Sequence, residues 1–238
     1  MDRQPTVLLF DIDGTLITTG GMGRRAIERA VSDVLERPSA PFAFSFGGMV
    51  DPVIVGQGLS SLGVTPNTDV IERVLERYLQ VLREEVRLAP VYAVHEGVTD
   101  VLEQVSGLPG VAVGLGTGNV EEGARIKLER VGLNPHFAFG GYGSDAPERP
   151  ALIRRGAERG ASRLGVPLEE CRLVIIGDTP KDIQAAHANG GECVAVCTGG
   201  ASAEDLRAHE PDYLFASLAD PHALAAILDG TLEASDSP

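Results

Sequence analysis

Apolar runs of strand length alternate with stretches of helical period along the chain, with one interruption. Residues 6–12 form an apolar run rich in β-formers, which predicts a strand buried on both faces. A turn-like stretch follows from Gly14 to Gly23. Residues 24–36 read as an amphipathic helix stopped by Pro38, and residues 51–62 and 68–88 as two more. The last of these carries Val70, Ile71, Val74, Leu75, Tyr78, Leu79 and Leu82 at helical spacing. No strand is predicted between Leu16 and Ala89, where Phe42, Phe44 and Phe46 make an ambiguous aromatic patch.

Beyond Pro90 the alternation resumes. Helices are predicted over residues 97–105, 120–131, 150–164, 181–189, 205–209 and 221–228. Strands are predicted over 111–115, 136–139, 172–176, 192–197 and 212–215. Strands separated by helices imply βαβ units and a parallel sheet, an α/β fold. The first strand is therefore separated from the rest of its sheet by a helical insert. Two short segments that suit a hinge, 17–23 and 89–96, join the insert to the sheet. The tail, residues 233–238, is predicted to fray.

Charge and cysteine content narrow the partners. Twenty Lys and Arg against 34 Asp and Glu leave a net charge of −14, which argues against a nucleic-acid or anionic-membrane partner. It also makes the chain a poor long-range attractor for an anionic substrate. No apolar run is long enough to predict a transmembrane helix, and the first apolar run breaks at Asp11, so no secretory signal is predicted. Three cysteines, Cys171, Cys193 and Cys197, are too few for a disulfide framework, and a cytoplasmic protein is the expectation.

The chemistry collects at predicted strand ends, where open α/β sheets place reactive groups. Asp11-Ile12-Asp13-Gly14-Thr15 ends the first strand. Its two acids project to one side if the strand stays extended, an expensive placement unless a cation offsets them. Taken alone, Asp-x-Asp-Gly is a turn. Gly114-Leu115-Gly116-Thr117-Gly118-Asn119 ends a second strand, and alone is a Gly-rich turn with a Thr cap. Gly177-Asp178-Thr179-Pro180-Lys181-Asp182 ends a third, where Asp178 also suits the cap of the following helix.

In this order the three strings resemble the motifs of the haloacid dehalogenase-like (HAD) hydrolase superfamily, and the resemblance spans the chain. It implies that Asp11 is the nucleophile and a Mg²⁺ ligand, and that Asp13 gives its backbone carbonyl to the metal and its side chain as general acid and base. It implies phosphate binding by Thr117, Gly118 and Asn119, metal ligation by Asp178, and an outer-shell role for Asp182. The implied architecture is a Rossmann-like doubly wound parallel sheet core, residues 1–17 plus 93–238, with an inserted α-helical cap, residues 18–92. A carboxylate attacking a phosphate meets like-charge repulsion that Mg²⁺ removes.

The sequence departs from the family at its third motif, usually a lysine. Only Lys127 and Lys181 are present, neither in the expected segment, and Arg149 beside Pro150 is the best positional substitute. Arg154 is next, and Lys127 could reach in from its own helix. Met49 and Asp51 lie in a cap segment that faces the active site in the family, and Met49 stands where a basic residue is frequent. Arg24 and Arg25 are alternative sources of positive charge.

Asp13 argues against a dehalogenase, and the lack of any lysine before Lys127 excludes a Schiff-base phosphonate hydrolase. The expected function is a Mg²⁺-dependent phosphomonoesterase acting on a small phosphorylated metabolite and resembling phosphoglycolate phosphatases. The alternatives are a sugar-phosphate mutase, or a binding protein without turnover. Nothing in the pattern sets an oligomeric state.

Overall fold

A computed structural model describes residues 4–38 and 41–229. In chain order the elements are β1 (Thr6–Phe10), β2 (Ile17–Thr18), α1 (Met22–Leu35), α2 (Asp51–Ser61), α3 (Thr68–Leu88), β3 (Ala93–Val94), α4 (Val98–Val105), β4 (Val111–Gly116), α5 (Glu121–Glu129), β5 (Gly140–Gly141), α6 (Arg149–Leu164), β6 (Arg172–Gly177), α7 (Pro180–Ala188), β7 (Glu192–Val196), α8 (Ala203–Arg207), β8 (Tyr213–Phe215) and α9 (Ala223–Asp229). The tail predicted to fray lies outside the described residues.

Six strands form one parallel sheet in the order β5-β4-β1-β6-β7-β8. The apolar run of β1 is central and wholly buried, as predicted for a strand covered on both faces. Successive side chains serve opposite layers. Leu8 and Phe10 pack with α4, α5 and α9, and Val7 and Leu9 pack with α6, α7 and α8. The chain leaves β1 toward β4 and β5, then returns to the other side of β1 as β6. The ends of β1, β4 and β6 thus meet where the strand order reverses, the position at which open α/β sheets bind ligands.

The helices α1, α2 and α3 bury their apolar faces on one another and on Val120 and Ile126 beside and within α5. Among the described residues the structure adds an element that the sequence pattern does not predict. Ile17–Thr18 and Ala93–Val94 pair as an antiparallel ribbon at the two junctions of the helical insert. Two residues per strand are too few to show a period of two.

The strand predicted over 136–139 is not formed. Asn134–His136 is a 3₁₀ turn, where Pro135 removes a donor. The pairing strand is Gly140–Gly141, beside Leu115 and Gly116. A side chain at Gly141 would run into the Leu152 carbonyl of α6, so the edge strand lies where packing demands glycine rather than where β-formers are richest. Phe42 to Phe46 form no strand; their rings stack on one another, and the Phe46 face carries the Arg24 guanidinium at 4.0 Å. Among the described residues no helix is long and apolar enough to cross a membrane.

Candidate active site

The ends of β1, β4 and β6 line a cavity of about 800 Å³ between the sheet and the helical insert. Asp11, Asp13, Thr117, Asp178, Arg149 and Lys127 all face it. The strand ends at Phe10, with Asp11 N still donating to Ile176 O, and the chain turns at Ile12, whose carbonyl accepts from the N–H groups of Thr15, Leu16 and Ile17. Gly14 turns the chain at φ 91°, where a side chain would collide with the Asp178 carboxylate. Asp11 and Asp13 consequently meet different cations.

Arg149 Nη2 lies 3.0 Å from Asp11 Oδ2 and also donates to Asp182 Oδ1. It stands at the first position of α6, just before Pro150, and is 5% exposed. Burial raises the Asp11 carboxyl to about 6 against the pull of Arg149. Burial likewise raises Asp178, with Asp11 and Asp182 adding to the effect. Burial works against the Arg149 charge, yet Asp11 and Asp182 hold it above the usual arginine range. Arg154 instead pairs with Glu158 and Glu169 at the surface.

Carboxylate oxygens of Asp11, Asp178 and Asp182 all lie within 4.8 Å of one another. Three buried acids against one guanidinium is an oxygen-rich donor set that fits a hard divalent cation. Asp182 is already occupied: Oδ2 accepts from Thr179 N (3.0 Å) and Thr179 Oγ1 (2.7 Å), and Oδ1 from Arg149. Asp178 uses Oδ1 to accept from Thr15 Oγ1 at 2.8 Å, with no hydrogen bond to Oδ2 among the described residues. The cap of α7 is thus Thr179, in a capping box with Asp182, rather than Asp178. Thr15, inside the first string, holds Asp178, a contact that its place in the string does not announce.

On the opposite side, Lys127 Nζ donates to Asp13 Oδ2 and to Asn119 Oδ1, both at 2.6 Å. Asn119 Nδ2 donates to Asp13 Oδ2 (2.9 Å) and Thr117 Oγ1 (2.8 Å). Thr117 Oγ1 also accepts from Asn119 N at 3.3 Å, which leaves its hydroxyl hydrogen to donate into the cavity. Lys127 follows Asn119 by two helical turns, on the buried face between Ile126 and Leu128. A lysine on an otherwise apolar stripe was the signal available for it.

The insert touches this loop directly. Asp51 N donates to Gly118 O at 2.8 Å, and Asp51 Oδ2 accepts from Val120 N at 3.0 Å. A side chain at Gly118 would overlap the Met49 carbonyl. Burial raises Asp51 to about 6, opposed by Lys127 and the Val120 N–H. Arg24 and Arg25 do not supply free charge: Arg24 bonds Glu28 and the Phe42 carbonyl at 3.0 Å, and Arg25 bonds Glu85 at 3.2 Å. Cys193 is a buried core residue and all three thiols are free.

Comparison with known proteins agrees with this geometry. The HAD-hydrolase-like family matches residues 149–221. A phosphoglycolate phosphatase from Xylella fastidiosa is 30% identical over 207 residues, covering 84% of each chain. A 5'-nucleotidase from Pseudomonas aeruginosa is 28% identical over 235 residues, covering 95% of this chain and 96% of that one. The crystal structure of CbbY from Rhodobacter sphaeroides in complex with xylulose-(1,5)bisphosphate shares the fold, with TM-score 0.69 and 18% identity over 93% of this chain and 98% of that one. With three strand-end motifs on one parallel sheet and these relatives, the chain belongs to the haloacid dehalogenase-like hydrolase superfamily, in its phosphoglycolate phosphatase-like branch.

Proposed function

We propose that this phosphatase is Mg²⁺-dependent and hydrolyses a small phosphorylated metabolite through an aspartyl-phosphate on Asp11. The observation that carries the reading is the Asp11 carboxylate, buried at the end of the central strand between Arg149 and the acids of the β6 end. Asp11, Asp178 and the backbone carbonyl of Asp13 would hold the metal, with Asp182 behind them. When bound, Mg²⁺ offsets the charge of the acids and of the phosphoryl group.

The residues divide the work as follows. Arg149 holds its charge at all relevant pH and faces both Asp11 and the incoming phosphoryl oxygens. Thr117, with the backbone of Gly118 and Asn119, orients those oxygens. An Asp11 oxygen bonds to phosphorus as the ester P–O bond breaks, and the leaving oxygen takes a proton from Asp13. Asp13 then takes a proton from the water that attacks phosphorus, and the Asp11–phosphorus bond breaks to release phosphate. Residues 18–92 act as the cap over a core of 1–17 plus 93–238, excluding water while closed and presenting Met49 and Asp51 to the substrate side.

The test is a screen of small phosphate esters with and without Mg²⁺, with Asp11→Asn alongside. Phosphate release that needs Mg²⁺ and disappears in Asp11→Asn is expected. Turnover surviving in that variant would overturn the nucleophile assignment. An isomerised sugar phosphate without free phosphate would make the enzyme a mutase.

A further inference from the structure

Lys127 is the feature the reaction scheme above leaves without a task. Its side chain is 4% exposed, and burying an ammonium is expensive without a specific arrangement around it. That arrangement is a closed triangle: Lys127 to Asp13 Oδ2, Lys127 to Asn119 Oδ1, and Asn119 Nδ2 to Asp13 Oδ2. The triangle admits one orientation of the Asn119 amide, because the flipped amide would turn its NH₂ toward the ammonium. The same NH₂ reaches Thr117 Oγ1, so the triangle also ties the acid to the phosphate-binding loop.

Two donors share one oxygen of Asp13, and the other oxygen, Oδ1, accepts no hydrogen bond among the described residues. The Asp13 side chain is 40% exposed, into the cavity. One oxygen is pinned and one faces the reacting centre. From the insert, α1 brings Gly23 against the ammonium, where even a methyl group would stand 3.2 Å from Nζ.

We propose that Lys127 is a positioning residue for proton transfer: with Asn119 it locks the Asp13 carboxyl in the orientation that presents Oδ1 to the leaving oxygen and then to the attacking water. The proposal rests on the acid–base role of Asp13 given above. A group that donates a proton and takes one back within a turnover has to hold one place through both steps, and a free carboxylate rotor does not.

The test compares wild type, Lys127→Met and Asp13→Asn, with Mg²⁺, on two esters. The phenolate of p-nitrophenyl phosphate departs without a proton, whereas the alkoxide of glycerol 2-phosphate needs one. Lys127→Met is expected to lose about a hundredfold in kcat on the alkyl ester and under about tenfold on the aryl ester, the bias expected of Asp13→Asn. Equal losses on both esters, or no loss, overturn the proposal, since a merely structural role would not sort esters by leaving group. If Asp13→Asn shows no bias, the acid–base reading fails and takes this proposal with it. A biased Asp13→Asn beside an unbiased Lys127→Met overturns the role of Lys127 alone. Should Lys127→Met not fold, Gly23→Ala keeps every charge and crowds the ammonium. A severalfold alkyl-selective loss there supports the proposal, and no selectivity overturns it.

Discussion

Arg149 Nη2 stands 3.0 Å from Asp11 Oδ2, so the first residue of α6 neutralises the end of β1. Arg149 stands where the family resemblance leads one to expect a lysine, and its forked guanidinium reaches Asp182 and the Gly116 carbonyl as well. Arg149→Met is expected to lower kcat/KM by about a hundredfold or more, and to cost about 3 kcal/mol of stability without metal by leaving buried acids unpaired. Arg149→Lys is expected to fall between. Steady-state kinetics and denaturant unfolding check both, and a fully active Arg149→Met would remove the residue from the site.

Asp51 makes stability depend on pH in a definite direction. Its carboxyl titrates near 6 in the folded chain, because of burial, against an ordinary 3.8. The folded state therefore binds more protons between those values, and stability falls as pH rises through the window. Wild type is expected to gain on the order of 1 kcal/mol relative to Asp51→Asn as pH drops from about 7 to about 5. Paired urea melts at the two pH values measure it, and a gain in the opposite direction would contradict the burial of Asp51.

Gly118 is the point where the helical insert rests on the loop after β4. Gly118→Ala puts a methyl group into the Met49 carbonyl, so the insert must back away. A loss of about 1–3 kcal/mol in stability is expected, together with at least about a tenfold fall in kcat/KM. Wild-type kinetics in this variant would show that closure of the insert on this loop is not used.

The Tyr78 hydroxyl is buried beside Asp51, and burial followed by the nearby Asp51 charge keeps it protonated while it in turn favours the Asp51 carboxylate. Tyr78→Phe removes a hydroxyl that favours the Asp51 carboxylate, at a site where the ring does the packing. The variant is expected to lose up to about 1 kcal/mol near pH 7, and less near pH 5, where Asp51 is protonated. Urea unfolding at the two pH values decides it, and a variant more stable than wild type at both would show that the hydroxyl has no partner.

Strands buried on both faces announce themselves as unbroken apolar runs, and their polar ends then stand out as short strings in fixed order. For that reason the parallel sheet, the insert after β1, and Asp11, Asp13, Thr117 and Asp178 were legible along the chain. Arg149 was legible through Pro150, which marks the mouth of a helix. The edge strand at Gly140–Gly141 was not, because its glycines answer to the proximity of α6 rather than to strand propensity. The ribbon of Ile17–Thr18 with Ala93–Val94 was too short to carry a period. Which cation serves which acid was decided only in three dimensions. Asp11 and Asp13 are two residues apart, yet α6 brings Arg149 to one and α5 brings Lys127 to the other. Sequence order sets what each strand end offers, and the packing of helices on opposite faces of the sheet sets what it meets.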